Sequence, residues 1–286
     1  MNKKKAFSLL ELSLVILVVA ALVAGIMKGQ YLMKEVQIEM AQKITLSSPV
    51  LAIEDLEIWY ETTLKQSFLE EENEDNSQIS SWNDLAGSIN PSANNATQST
   101  SSYQPKYKQD FFGPGIAGVQ FDGSDDYLDF NGNFVIGSDY TIFIVENRTT
   151  NSNTHNLIIT GTGQSAGNTL NHGYNSNTGF HISHYDNDLY HANSNYSQET
   201  TYIHTLIFSQ SNGRSYHLNG SDSPKETSSS TTPLSSYNGA NIGGNGPPTN
   251  YTGHLGEIII FSRALGTSER VAIEKYLSKK YKIALE

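Results

Sequence analysis

Glu11 is the one carboxylate in the stretch from Phe7 to Met27, where only Ser8 and Ser13 otherwise interrupt an apolar run. On insertion scales a carboxylate in hydrocarbon costs about 2–3 kcal/mol. A charge kept there needs a partner, and so marks a functional position. Further along, Asp122, Asp125 and Asp126 crowd into the sequence VQFDGSDDYLDF. Such a cluster offers the oxygen ligands that Ca²⁺ takes. No Glu follows at EF-hand spacing, however, and Asp-Gly-Ser-Asp is ordinary turn chemistry between two strands. The turn is the ordinary reading and calcium the alternative. His181, His184 and His191 invite a zinc reading. On one strand positions 181 and 184 face opposite sides, so they do not share a metal without a bulge. Surface histidines are the ordinary reading.

Hydrolytic chemistry finds little support. A glycanase strand of the Glu-x-Asp-x-x-Glu kind would set a retaining pair of carboxyl groups about 5–5.5 Å apart. That pattern does not occur, and the nearest stretch, Glu54 to Glu61, spaces its acids differently. There is no phosphate-cradling glycine loop followed by Lys-Ser/Thr. The sequence therefore predicts a protein that is not an enzyme and needs no cofactor, calcium apart. With no cysteine, disulfides and thiolate metal sites are excluded. A net charge of −11 argues against nucleic acid as a partner, since binding it rests on phosphate contacts. The acidic run Glu70 to Asp75 reads as a solvated loop.

The elements that would position these residues fall into two parts. Phe7 to Met27 gives 21 residues, and a helix of that length spans about 31 Å, the thickness of a bilayer core. Lys3, Lys4 and Lys5 precede it, which predicts a cytoplasmic N-terminus and a single pass. Leu32 or Met33, Val36, Met40 and Ile44 continue a helical stripe to about Leu46, and Pro49 ends the helix. That stripe is expected to pack on the domain that follows. From about residue 77, short β-branched and aromatic runs alternate with Ser, Asn and Gly. Runs at 118–121, 127–130, 140–145, 202–208, 215–218 and 256–261 predict strands of a sandwich or jelly roll. Residues Thr267 to Tyr281 predict one closing helix, capped by Thr267 or Ser268.

The stretch KKKAFSLLELSLVILVVAALVAGIM resembles the N-terminus of type IV prepilins and type II secretion pseudopilins. The resemblance implies a leader of residues 1–6, cleavage between Ala6 and Phe7 by a prepilin peptidase, and N-methylation of Phe7. It makes Glu11 the fifth mature residue, the position at which the family carries its Glu. The family usually has Gly before the cut, and this chain has Ala6. In a filament Glu11 would meet the Phe7 amine of a neighbouring subunit. Pairing offsets the cost of burial, and a buried pair fixes register better than it adds stability.

VQFDGSDDYLDF (119–130), SYHLNGS (215–221), NIGG (241–244) and GHLGEIIIFSRALGTSERVAIEKYLSKKY (253–281) together resemble a concanavalin A-like, laminin-G-type jelly roll, over about residues 51–283. The expected fold is therefore mainly β. A long transmembrane and spine helix (7–48) precedes a β-sandwich domain (50–286) with a short C-terminal helix. The family implies a bias toward sugars and extracellular ligands. Tyr174, Tyr185, Tyr190, Tyr196, Tyr237 and Tyr251 lie among many Asn residues and suit that bias, though such tyrosines also cap cores.

The resulting expectation is a pilin-like or pseudopilin subunit in the inner membrane. Its head would stand in the periplasm or outside the cell on a filament, and its partners would be other subunits, lipid, and glycans or cell-surface ligands. The alternative is an uncleaved, membrane-anchored, lectin-like protein with no filament.

Overall fold

Leucine, alanine and methionine favour a helix, and nothing breaks the run before Pro49. In the computed structural model one helix, α1 (Leu9–Leu46), takes the whole stretch. The structure describes residues 9–88, 94–150, 155–161, 167, 169–175, 179–184, 188–192, 196–235, 240–244 and 250–286.

Two antiparallel sheets of eight described strands follow. The first runs β14 (Glu226–Ser228), β13 (Gly213–Leu218), β12 (Thr201–Ser209), β7 (Tyr140–Arg148), β16 (Thr252–Phe261), β5 (Ile116–Asp122), β4 (Lys106–Gly113). β1 (Leu56–Tyr60) pairs with the second half of β16, where β5 has left it. The second sheet runs β11 (Asp188–Ala192), β10 (Gly179–Ser183), β9 (Asn171–Asn175), β8 (His155–Gly161), β15 (Ala240–Ile242), β6 (Leu128–Phe130), β3 (Ala96–Thr97), β2 (Ser81–Trp82). A closing helix, α2, covers Thr267–Tyr281.

Burial explains the sequence of the central strands. The first sheet is covered on both faces, so β7 is buried at all nine positions. Ile142 and Ile144 face the second sheet in a core shared with Phe180, Ile182 and Trp82. Phe143 and Val145 face the other way, toward Ile273 and Leu277 of α2 and Ala41 of α1. A strand buried on both sides loses the alternation of a half-exposed one.

Two expectations need correction. The stripe that was to pack on the head is largely bare: Val36 is 53% and Met40 61% exposed, and of the stripe only Ile44 packs against the core. The docked face carries Gln37, Ile38, Ala41, Ile44 and Thr45 instead. Close backbone approach and hydrogen bonds select it. Gly115 (φ +76°) sits in the β4–β5 turn, and a Cβ there would come within 2.8 Å of the Gln37 carbonyl oxygen and the Ile38 Cα. The Thr45 and Thr63 hydroxyls hydrogen-bond at 2.7 Å, and Gln42 Nε2 donates to the Thr63 carbonyl at 3.2 Å. The second correction concerns the cap of α2. It is Gly266, which has no side chain to offer, and its N–H donates to the Glu269 carboxylate at 3.2 Å.

Candidate functional site

From Leu9 to Val36 every residue of α1 is exposed. At 1.5 Å per residue that bare segment is about 42 Å long, and its apolar part is long enough to cross a membrane. Glu11 lies within this exposed segment of α1. Ala6 and Phe7 lie outside the described residues.

Where α1 meets the head, two buried carboxylates share one cation. Lys280 Nζ lies 3.0 Å from Glu61 Oε2 and 2.9 Å from Glu257 Oε2, with all three side chains fully buried. Glu61 also accepts from the backbone N–H groups of Thr63 and Leu64 and from the hydroxyls of Thr63 and Ser67. Burial pushes its carboxyl up, but Lys280 and these donors outweigh burial and hold it below the usual range. Glu257 accepts from Trp59 Nε1 at 2.6 Å and from the Tyr276 and Tyr281 hydroxyls. Burial and the charge of Glu61 leave its carboxyl raised in spite of Lys280. Glu72, inside the acidic run that read as solvated, is buried and accepts from the Ser80 N–H and hydroxyl.

The aspartate cluster folds as a turn. Asp122 Oδ1 accepts the N–H groups of Ser124 (2.7 Å) and Asp125 (3.4 Å), and Asp126 Oδ2 accepts that of Asp122 (3.0 Å). Gly123 (φ +79°) is required, since a Cβ would stand 1.9 Å from the Thr252 hydroxyl. Burial, helped by the Asp122 charge, pushes Asp126 up to about 7. The carboxylate oxygens of Asp122, Asp125 and Asp126 lie within 4.8 Å of one another, but the hydrogen bonds they make are those of a turn.

The three histidines go to separate partners. His181 Nε2 meets Asp188 at 3.1 Å, and His191 Nδ1 meets Glu226 at 3.1 Å. His184 turns into the core, with Nε2 against the Tyr140 hydroxyl at 2.8 Å and Nδ1 against the Thr232 carbonyl at 3.2 Å.

A second acidic centre, which the sequence does not announce, lies between the sheets. Glu146 accepts from the Tyr174 and Tyr251 hydroxyls, both at 2.6 Å, and meets His204 Nε2 at 3.1 Å. His204 Nδ1 continues to the Tyr216 hydroxyl (2.8 Å), which meets that of Tyr196 (2.8 Å). Burial holds His204 below its ordinary value despite Glu146. The Arg148 guanidinium stacks 3.7 Å from the centre of the Tyr174 ring. Tyr174, Tyr196 and Tyr251 thus cap the core and offer no open platform, whereas Tyr190 is exposed. Tyr185 and Tyr237 lie outside the described residues.

Contrary to the expectation that the chain has no Gly-x-Ser-x-Gly, residues Gly163–Gly167 fit that pattern. Residues 162–166 lie outside the described residues. The flanking elements are the antiparallel strands β8 and β9, whereas a nucleophile elbow needs a strand followed by a helix.

No protein-family model matches the chain, and no curated protein matches it. Among solved structures it is similar to Trypanosoma rangeli sialidase in complex with sialic acid, with a TM-score of 0.54 and 15% identity. The match covers 79% of this chain and 33% of that one. It is also similar to the binding domain of Paraclostridial Mosquitocidal Protein 1, with a TM-score of 0.53 and 13% identity, over 77% of this chain and 52% of that domain. The chain thus spans a third of the first and about half of the second. At these identities the likeness establishes the β-sandwich fold and nothing finer.

Proposed function

We propose that the chain is a prepilin-type filament subunit of a bacterial cell envelope, and that its β-sandwich head binds ligands, glycans first among them. The observation that carries the reading is the bare segment of α1, Leu9 to Val36. A helix exposed from Leu9 to Val36 and docked only through its last turns needs lipid and neighbouring helices to cover it. In this reading the six-residue leader is cut before Phe7, the new amine is methylated, and Glu11 of one subunit pairs with the Phe7 amine of the next. The head stands outside the inner membrane.

The reading is of a binding module and not a hydrolase. Glu61 and Glu257, which share Lys280, are fully buried and leave no room for a substrate. The head shares its fold with the binding domain of Paraclostridial Mosquitocidal Protein 1, and a binding role accords with that fold. Ala6, standing where the prepilin family usually has Gly, favours the second reading: an uncleaved anchored head with no filament.

Mass spectrometry of the N-terminal peptide from native membranes separates the two. N-methyl-Phe7 at the start is the expected result, and a retained Lys3–Lys5 leader overturns the filament reading. Glu11→Ala is expected to enter the membrane and fail to join filaments. Normal incorporation of that variant sinks the pairing.

A further inference from the structure

The register of the second sheet sets eight polar residues in one row. Ser81 pairs with Thr97, Thr97 with Asp129, Asp129 with Asn241, and Asn241 with Thr160. Thr160 pairs with Asn171, Asn171 with Ser183, and Ser183 with Asp188. Directly paired residues share a face, and this is the face turned away from the core, since the adjacent row, Leu128, Ile242, Ile159, His172, Ile182 and Leu189, is buried inside. One row therefore crosses all eight strands. From Asp129 to Asp188 it runs about 24 Å, at about 4.8 Å per strand.

A polar outer face is ordinary when water covers it. This row differs. Within it Asp129 and Asp188 are exposed, while the four residues between them, Asn241 (4% exposed), Thr160, Asn171 and Ser183, are buried. Much of its hydrogen bonding runs along the row. Asn241 Nδ2 donates to Asp129 at 2.7 Å, the Thr160 hydroxyl to Asn171 Oδ1 at 2.8 Å, and the Ser183 hydroxyl to Asp188. Asn241 Oδ1 is left with no partner among the described residues, one strand in from the exposed carboxylate of Asp129. A buried amide oxygen without a donor is expensive. At the other end Tyr190, 37% exposed, lies on the same face, with its ring in the space over Gly179, where a Cβ would stand 2.1 Å from the ring's Cζ.

We infer that this row is a binding site for an uncharged glycan chain, laid across the strands. This rests on the ligand-binding reading of the head and names its site and its ligand class. Sugar hydroxyls exchange hydrogen bonds with the exposed carboxylates of Asp129 and Asp188, Asn241 positions Asp129 through its 2.7 Å bond, and a pyranose face stacks on Tyr190. The row holds two carboxylates and no lysine or arginine, so it repels acidic glycans.

The test is calorimetry on the full chain in detergent, titrated with neutral hexasaccharides of glucose, galactose, mannose and N-acetylglucosamine, and with an oligogalacturonate as the acidic comparison. At least one neutral hexasaccharide is expected to bind. Tyr190→Ala and Asn241→Leu are each expected to weaken it about tenfold or more. Tyr103→Ala, at an exposed tyrosine off the row, is expected to leave binding unchanged. Tyr190→Ala alters only a surface side chain and decides the matter if Asn241→Leu misfolds. Binding that neither variant weakens overturns the site while the binding reading of the head stands, and preference for the acidic oligomer overturns the ligand class. If no neutral hexasaccharide binds, the inference falls together with the glycan-binding reading of the head. The state of Phe7 tests the filament reading separately.

Discussion

The two buried acidic centres solve one problem in opposite ways. Outside the first sheet, Glu61 and Glu257 are held by a full charge, Lys280, delivered by α2. Between the sheets, Glu146 is held by two tyrosine hydroxyls and a histidine, none of which need carry charge. In low dielectric an ion pair is strong but brittle, because losing one member strands the other. A carboxylate among several neutral donors loses them one at a time. The first centre fastens a helix to the head, and the second braces the inside of the sandwich.

The largest expected effect follows directly. Lys280→Met leaves two buried carboxylates facing each other, and should cost about 3–5 kcal/mol in urea unfolding, much of a domain's usual margin. A cost below about 1 kcal/mol would break the contrast. Glu146→Gln keeps the shape and one acceptor, so about 1–3 kcal/mol is expected. If it costs more than Lys280→Met, the inner centre is the brittle one. Tyr251→Phe removes one donor from Glu146 and should cost about 1 kcal/mol by the same assay.

The last effect is one of pH, and it sharpens the difference in sign. Burial holds His184 at about 4 against an ordinary 6.5, and lowers His172 and His204 too. The folded state then binds fewer protons than the unfolded one. The stability these groups contribute is complete above about pH 6.5 and is lost as pH falls toward 4. Asp126, raised to about 7 from an ordinary 3.8, runs the other way: its contribution is complete below about pH 4 and is lost as pH rises through 7. Melting temperature against pH should therefore show an acid limb flattened by His184→Gln and a neutral limb flattened by Asp126→Asn. If both limbs survive both variants, these groups are not the source.

Local chemistry was legible in the sequence. Pro49 fixed the region where α1 ends, Gly123 with its aspartates read as a turn, and α2 was expected at Thr267–Tyr281, where it lies. The six expected strand runs all fall on strands. What depends on distant partners was not legible. Lys280 reads as one more helical lysine, because Glu61 stands 219 positions away. The docked face of α1 is chosen by the approach of Gly115 and by Thr63, not by the most apolar stripe. The polar row needs the pairing of Thr97, Asp129, Asn241 and Thr160, an order in space that the chain visits out of sequence.

The direct passage from α1 through residues 47–55 into β1 has a mechanical consequence. Tension that passes the docked turns of α1 enters the sheet at β1, which lies antiparallel to β16 from Leu56 to Tyr60. A force along a strand loads its ladder bonds together, in shear, and does not unzip them singly. β16 passes the load to β7 and so to the rest of the sheet, while Glu61, just beyond the end of β1, is tied through Lys280 to α2. Survival under load depends on how fast a fold opens, not on its equilibrium stability. A head pulled from α1 while its far sheet holds a ligand would have the β1–β16 ladder in the line of force.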